Sequence, residues 1–285
     1  MQLSFVIVNY KSFDYLNICL KSINENVSGI DFEIIIVNND EQPIGTLDCV
    51  NFDCVERIAA QEIVSGKPFK KEGKKIKIIE VNKNIGFGKA NNLGVLRAEG
   101  EIICFLNPDT EIISKNIQQV LSQFEREVDL GILGPQVLVN NTKDIQPWSC
   151  GVDLTLSEVI FSKLGFSRSR RLWLSEKIEE VDWVSGVCLF IRRRIFLTSS
   201  GFDENFFLYY EDVDLCKRIR QAKKRVNYFP IFKIKHASGG SVNNKYQQKK
   251  EYFKSQNYYY KKWFNVFTYQ AMRTFNFFYL WRYRF

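Results

Sequence analysis

The sequence predicts an α/β domain built on a mainly parallel central sheet with flanking helices. Two observations carry the prediction. Short, largely apolar runs recur at Leu3 to Val8, Phe32 to Val37, Ile76 to Val81 and Ile102 to Leu106, interrupted only at Ser4, Glu33, Lys77 and Glu80. Largely apolar runs without regular polar alternation mark strands covered on both faces, which is the condition of a parallel sheet. Segments of helical spacing lie between these runs, and strands alternating with helices point to βαβ units.

In chain order, Leu3 to Val8 is the first strand, and Phe13 to Val27 is a helix with Leu16, Leu20 and Ile23 on one face. Phe32 to Val37 and Ile76 to Val81 are the next two strands. The segment between them, Asp40 to Lys75, is too long for a simple connection and ends in the basic stretch Lys67 to Lys75; it reads as a helical or irregular surface insertion. Gly88 to Ala98 is a helix, Ile102 to Leu106 a strand, and Ile112 to Phe124 a helix. Leu154 to Glu180 reads as irregular, with Arg168, Arg170 and Arg171 clustered; it is either a lid or acceptor-binding loop or a solvated excursion. Val187 to Ile191 is a strand, Glu211 to Ala222 a helix and Val226 to Phe229 a strand.

The 285 residues suffice for one large domain with a tail. A net charge of +8 predicts an anionic partner. The excess is uneven. From Val242 to Phe285 there are nine Lys or Arg and one acid, Glu251. The division expected is a catalytic domain over 1–241 and an aromatic, basic tail over 242–285. No recognisable nucleic-acid module accompanies the charge, which argues against nucleic acid. The seven Cys form no CxxC pair and several sit in apolar runs, so they read as buried free thiols of a reducing compartment. The N-terminus shows neither a basic leader nor a small-residue cleavage site, and no apolar run is long enough to span a bilayer. The expected location is the cytoplasm, peripheral on the inner face of the cell membrane.

Four motifs carry candidate chemistry. Asn107-Pro108-Asp109 follows a strand directly. Ligands of open α/β sheets bind beyond such strand ends, and a carboxylate there can hold a divalent cation against a diphosphate; the plain alternative is turn chemistry. Asn84-Ile-Gly86-Phe-Gly88-Lys89 joins a strand to a helix. Glycines let backbone approach a ligand and helix-start amides favour phosphate. The spacing is neither GxGxxG nor a Walker loop, which argues against a dinucleotide or ATP site. Glu211-Asp212-Val-Asp214 sets three carboxylates at a helix start. They either complement the helix dipole or supply a general base whose pKa the preceding Phe206-Phe-Leu-Tyr-Tyr210 wall would raise. His236, the one histidine, ends a strand beside Ser238-Gly-Gly-Ser241 and is either a metal ligand or a core residue.

In this order the motifs resemble the inverting family 2 glycosyltransferases of GT-A fold, most nearly the rhamnosyltransferase-like members. The resemblance is carried by Phe5-Val-Ile-Val-Asn-Tyr10, Asn84 to Asn92, Phe105-Leu-Asn-Pro-Asp-Thr110, Trp183-Val-Ser-Gly186, Gly201 to Phe207, Glu211 to Cys216 and His236. It implies a nucleotide-diphosphate sugar as donor, a glycan or lipid-linked glycan as acceptor, and Mg²⁺ or Mn²⁺ as cofactor. It further implies that Val8, Asn9 and Tyr10 form the nucleoside edge and that Asn38 or Asp40 meets base or ribose. Asn84, Gly86, Lys89 and Asn107 would face the donor. Asp109 and His236 would be metal ligands and Asp212 the catalytic base, with Trp183, Ser185, Gly186 and Glu211 at the acceptor. Two positions depart from the family: Asn38 replaces a frequent Asp, and Asn107 replaces the first acid of Asp-x-Asp. A nucleotidyltransferase is disfavoured because no N-terminal Gly-rich Arg-Lys loop is present. A catalytically inactive nucleotide-sugar or nucleic-acid binding protein is the remaining alternative.

The tail interleaves Tyr, Trp and Phe with Lys and Arg. Such amphipathic aromatics favour the membrane-water boundary, and basic residues favour an anionic leaflet. The expectation is a helical tail lying on the membrane, with packing on the domain or an oligomer contact as the alternative.

Overall fold

The computed structural model describes residues 1–45, 47, 55–64, 76–140, 142–237 and 245–282. Strands β1 (Leu3–Asn9), β2 (Phe32–Asn38), β3 (Val55–Ala59), β4 (Ile76–Glu80), β5 (Ile102–Leu106) and β6 (Thr110–Ile112) alternate with helices α1 (Phe13–Asn26), α2 (Ala60–Val64) and α3 (Phe87–Val95). After α4 (Ile117–Arg126) come β7 (Leu130–Val139), β8 (Cys150–Gly151), α5 (Leu156–Lys163), α6 (Ser169–Trp173), β9 (Glu179–Glu180), β10 (Trp183–Val184) and β11 (Cys188–Arg192). The chain continues through α7 (Arg193–Thr198), α8 (Glu211–Gln221), β12 (Arg225–His236), α9 (Lys245–Trp263) and α10 (Val266–Arg282).

Among the described residues the main sheet runs β3-β4-β2-β1-β5-β11-β7-β12-β6, with β9 beside β12. The five pairings β3–β4, β4–β2, β2–β1, β1–β5 and β7–β12 are parallel, while β11 is antiparallel to both neighbours. The apolar runs read as buried strands are buried: β1 and β5 are covered along their whole length. One face packs on α1 and α4. The other packs on α3, α8 and part of α9. Helix α3 lies so close that a Cβ on Gly94 would stand 2.5 Å from Val6 Cγ1 and 3.1 Å from Val37 Cγ2.

Four expectations change. Asp40 to Lys75 is not only insertion: β3 adds an edge strand parallel to β4, in the register Val55 to Ile76, while Lys67 to Lys75 falls outside the described residues. The helix expected from Ile112 begins at Ile117, because Thr110–Ile112 is drawn out as β6 against the end of β12. That pairing joins residues more than a hundred positions apart and overrides local spacing. The strand expected at Val226 to Phe229 extends from Arg225 to His236. Leu154 to Glu180 is not irregular but holds α5, capped by the Thr155 side chain accepting from Glu158 N, and α6.

The five described cysteines, Cys19, Cys104, Cys150, Cys188 and Cys216, are buried free thiols. Burial pushes the Cys19, Cys150 and Cys216 thiols up to about 12, which suppresses the reactive thiolate. Cys49 and Cys54 lie outside the described residues.

Helix α9 is part of the globular body. Tyr259 and Tyr260 are fully buried in the core that also holds α3 and α8. Each phenol finds an acceptor, Tyr259 at Asp153 Oδ1 (3.1 Å) and Tyr260 at the Leu154 carbonyl (2.7 Å), as buried tyrosines require. Lys262 Nζ lies 2.7 Å from both Asp203 Oδ2 and Asp214 Oδ1, and Trp263 Nε1 donates to Asp214 Oδ1 at 2.8 Å.

Candidate active site at the sheet's C-terminal edge

The carboxyl ends of β1, β2 and β4 are stitched together by asparagines. Asn9 Nδ2 donates to Asn38 Oδ1 at 2.9 Å, and Asn38 Nδ2 donates to Glu80 Oε2 at 2.6 Å and to the Gln42 carbonyl at 2.7 Å. Asn38 is fully buried, and its amide ties strand ends together. The next residue, Asn39, escaped the sequence reading. Its Nδ2 donates to Asn84 Oδ1 at 3.0 Å, its Oδ1 accepts from Ile85 N at 2.9 Å, and Asn84 Oδ1 also accepts from Gly86 N at 3.0 Å. The signal was the run Asn38-Asn39-Asp40 at a strand end. Asp40 is half-buried, accepting from the backbone of Lys11 (2.9 Å) and Glu41 (2.8 Å).

Beside this network lies a cavity of about 490 Å³, lined by Asn9, Lys11, Ser12, Asp40 and Gln42 among others. Its volume is in the range of small-molecule sites. Val8 is a buried strand residue behind it, and the half-buried Tyr10 ring lies 5.4 Å from Lys11 Nζ.

Gly86 has φ +91°, and a Cβ there would stand 2.9 Å from the Phe207 carbonyl, which accepts from Phe87 N at 2.8 Å. Glycine is therefore required to lay the 84–88 loop against the segment leading into α8. Asn92, the last residue of the Asn84 to Asn92 motif, to which the sequence assigned no role, clasps the same segment by exchanging hydrogen bonds with the Phe202 backbone (2.8 and 2.9 Å). Lys89 is exposed and pairs with Glu204 at 3.0 Å.

Two consecutive residues before α8, Tyr209 and Tyr210, hold φ values of +71° and +70°. Left-handed backbone at non-glycine residues stores strain and persists where surroundings enforce it. Here α9 supplies the constraint: Gln248 Nε2 donates to Tyr209 Oη at 2.7 Å, Gln256 Nε2 to Tyr210 Oη at 2.5 Å, and Ser255 Oγ to the Leu208 carbonyl at 2.7 Å. The turn delivers Asp212 to Gly186, whose N–H donates to Asp212 Oδ2 at 2.7 Å, while Val213 N donates to Oδ1 at 2.8 Å. Burial raises the Asp212 carboxyl and the two amides oppose that rise. Glu211 is buried, and its Oε2 has no hydrogen-bond partner among the described residues. Burial, reinforced by Asp212, pushes it well above the usual carboxylate range. Both shifts run upward, further for Glu211, so burial favours the neutral form of Glu211 more than that of Asp212.

The Asn107-Pro-Asp109 turn reaches the same place, since Asn107 N donates to the Val187 carbonyl at 2.9 Å, one residue from Gly186. Asp109 Oδ1 lies 3.2 Å from His236 Nε2, and His236 Nδ1 is 2.7 Å from Gln146 Oε1. Asn107 Oδ1 is buried without a hydrogen-bond partner among the described residues. One carboxylate, one imidazole oriented from behind and one uncommitted amide oxygen fit a divalent cation whose remaining ligands come from a diphosphate and water. Among the described residues no group of three or more His, Cys, Asp or Glu gathers at one point, so an all-protein cage is not what this donor set offers.

Of the acceptor candidates, Trp183 is buried and donates through Nε1 to the Val152 carbonyl at 2.9 Å. It supports the floor on which Ser185 and Gly186 lie. Ser185 N donates to the Ser149 carbonyl at 2.8 Å. The structure thus brings Gly186, Asp212 and the Asn107–Asp109 turn together. It turns Lys89 towards Glu204 and places Trp183 and Glu211 in the interior.

Residues 4–196 match Glycosyl transferase family 2. The chain is similar to the rhamnosyltransferase WbbL of Escherichia coli K12, at 25% identity over 244 residues and 81% of each chain. It is also similar to an N-acetylglucosaminyl-diphospho-decaprenol L-rhamnosyltransferase of Mycobacterium tuberculosis, at 27% identity over 59% of this chain and 60% of that one. Among solved structures, GalNAc-T7 with UDP, GalNAc and Mn²⁺ superposes with a TM-score of 0.62 at 14% identity, covering 95% of this chain and about half (49%) of that one. TarS of S. aureus in complex with UDP-GlcNAc gives 0.55 at 16% identity, covering 90% of this chain and 65% of that one. These likenesses show the GT-A fold. With the match over most of its length, the chain belongs to glycosyl transferase family 2.

Proposed function

We propose that the protein is an inverting glycosyltransferase that transfers a sugar, rhamnose by analogy with its relatives, from a nucleotide diphosphate to a lipid-linked glycan in cell-surface polysaccharide synthesis. The observation that carries the reading is Asp212, a charged carboxylate with a raised pKa held by the Gly186 and Val213 amides beside the Asn107–Asp109 turn. A general base needs this combination of basicity and fixed aim. Asp212 takes the proton of the acceptor hydroxyl as that oxygen forms its bond to the anomeric carbon. The bond from that carbon to the diphosphate oxygen breaks, so one displacement inverts the configuration. Burial favours the neutral form of the adjacent Glu211, which limits a second negative charge near the attacking oxygen.

The cavity beside Asn9 and Asp40 would take the nucleoside, with Lys11 among its lining residues. Asp109 and His236 would hold Mg²⁺ or Mn²⁺, which when bound neutralises charge on the departing diphosphate. No helix of the described residues is long and apolar enough to cross a membrane. We propose that the chain works peripherally on the cytoplasmic leaflet through α10. Incubation with a panel of nucleotide sugars and a lipid-linked acceptor, measuring nucleotide diphosphate release, tests the activity. Tight donor binding with no turnover across the panel would favour the inactive sugar-binding alternative.

A further inference from the structure

Helix α10 turns one face to the body, burying Met272 and Asn276, yet its outer face is not polar. Phe267, Phe278 and Trp281 are 83%, 61% and 58% exposed. Helix α5 behaves alike. It ends in a Schellman turn, with Gly165 N donating to the Ser162 carbonyl at 3.1 Å, Phe166 N to the Phe161 carbonyl at 2.9 Å, and Gly165 at φ +86°. That turn normally buries the flanking apolar pair against each other. Here Phe161 and Phe166 remain 53% and 74% exposed, with Leu164 between them. Lys163 joins the two helices, its Nζ lying 4.1 Å from the Phe275 ring centroid and 4.5 Å from that of Tyr279. Ile160 and Leu164, also exposed, share the α5 face of Lys163 at helical spacing.

We infer that the α5 tip and the outer face of α10 form one docking surface for an anionic phospholipid bilayer, with Phe161, Leu164 and Phe166 inserted beside Phe278 and Trp281. This rests on the peripheral reading above and extends it to a segment the sequence left as lid or surface loop. Charge selects the occupant. From the start of α5 to Ser175 the chain carries Lys163, Arg168, Arg170 and Arg171 against one acid, Glu158, which is buried and paired with Arg168 at 3.2 Å, and α10 has no acid at all. Apolar aromatics rimmed by cations match the boundary of an anionic leaflet. A second copy packed isologously would set the same cations against each other.

The test is flotation of the full chain with vesicles of phosphatidylglycerol and phosphatidylcholine, at low and high salt, comparing wild type with Phe161→Asp/Phe166→Asp and with Phe278→Asp/Trp281→Asp. All four side chains are exposed, so neither pair disturbs the core. The expected result is salt-sensitive binding to the anionic vesicles only, with each pair lowering the partition coefficient at least about tenfold. Wild type that floats together with an unchanged Phe161→Asp/Phe166→Asp variant confines the surface to α10 and overturns the inference alone. Wild type that does not float overturns the peripheral reading as well. A dimer in solution that either pair dissociates assigns the surface to self-association and also overturns the inference.

Discussion

Replacing Asp212 by Asn separates catalysis from packing. The substitution keeps volume and shape but removes the charge and one acceptor. Gly186 N and Val213 N each donate to a different carboxylate oxygen, so whichever way the amide turns, one backbone N–H faces an NH₂ group. An unmade hydrogen bond of that kind costs about 1–3 kcal/mol, which lowers the melting temperature by roughly 2–4 °C per kcal/mol in a chain approaching this size. Loss of a general base costs far more in rate, roughly 10²- to 10⁴-fold. The variant should therefore remain folded and bind donor while transfer falls by at least about a hundredfold. Glu211→Gln is the control. Because burial pushes the Glu211 carboxyl well above the usual range and so favours its neutral form, the amide should reproduce its charge, and transfer should stay within about tenfold of wild type, below the range for losing a base. Product formation under single-turnover conditions, donor affinity by calorimetry and thermal melting together read the three quantities. Transfer by Asp212→Asn within a few-fold of wild type would refute the assignment of the base. A larger loss in Glu211→Gln than in Asp212→Asn would refute the division of charge between them.

The raised Asp212 pKa should place the acid limb of kcat/KM above the ordinary aspartate range, activity rising with pH as the base ionises; a limb at or below about 3.9 contradicts this. EDTA should abolish transfer, and Asp109→Ala should weaken metal-assisted donor binding more than His236→Ala does; full activity after chelation removes both residues from a metal site. Gly94→Ala should destabilise by about 1–3 kcal/mol, because its methyl would overlap Val6 and crowd Val37, and an unchanged urea midpoint would show that the helix can shift without cost. Burial works against ionisation of Asp203, but Lys262 and the Asn205 amides prevail and hold it near about 2. A depressed carboxyl contributes stability that is complete above its unfolded pKa near 4 and lost as pH falls through about 2. Wild type should therefore lose more stability than Asp203→Asn between those limits, and parallel melting curves would show that Asp203 does not help hold α9.

The sequence by itself determined the sheet's first half and drew attention to the candidate residues along its edge. Leu3 to Val8 and Ile102 to Leu106 could be read as buried parallel strands because both faces are covered, which leaves a nearly continuous apolar run, broken only by Ser4, as the local trace. Asp109, Asp212 and His236 were legible because carboxylates and a lone imidazole at strand and helix ends are conspicuous against apolar surroundings. Tertiary structure decided what depends on distant partners. Thr110–Ile112 became a strand through pairing with β12, and Val55–Ala59 joined the sheet as an edge. The amide that aims Asp212 comes from Gly186, whose backbone donor leaves no mark in residue type. The tail shows the limit best, since Tyr, Trp and Lys serve protein burial and membrane contact equally well. In α9 those residues face buried acceptors such as Asp153 and Asp214, while in α10 Phe267, Phe278 and Trp281 face outward. Both helices are rich in aromatics, α9 with six Lys and α10 with two Arg, and the position of the acceptors decides which of those aromatics are buried.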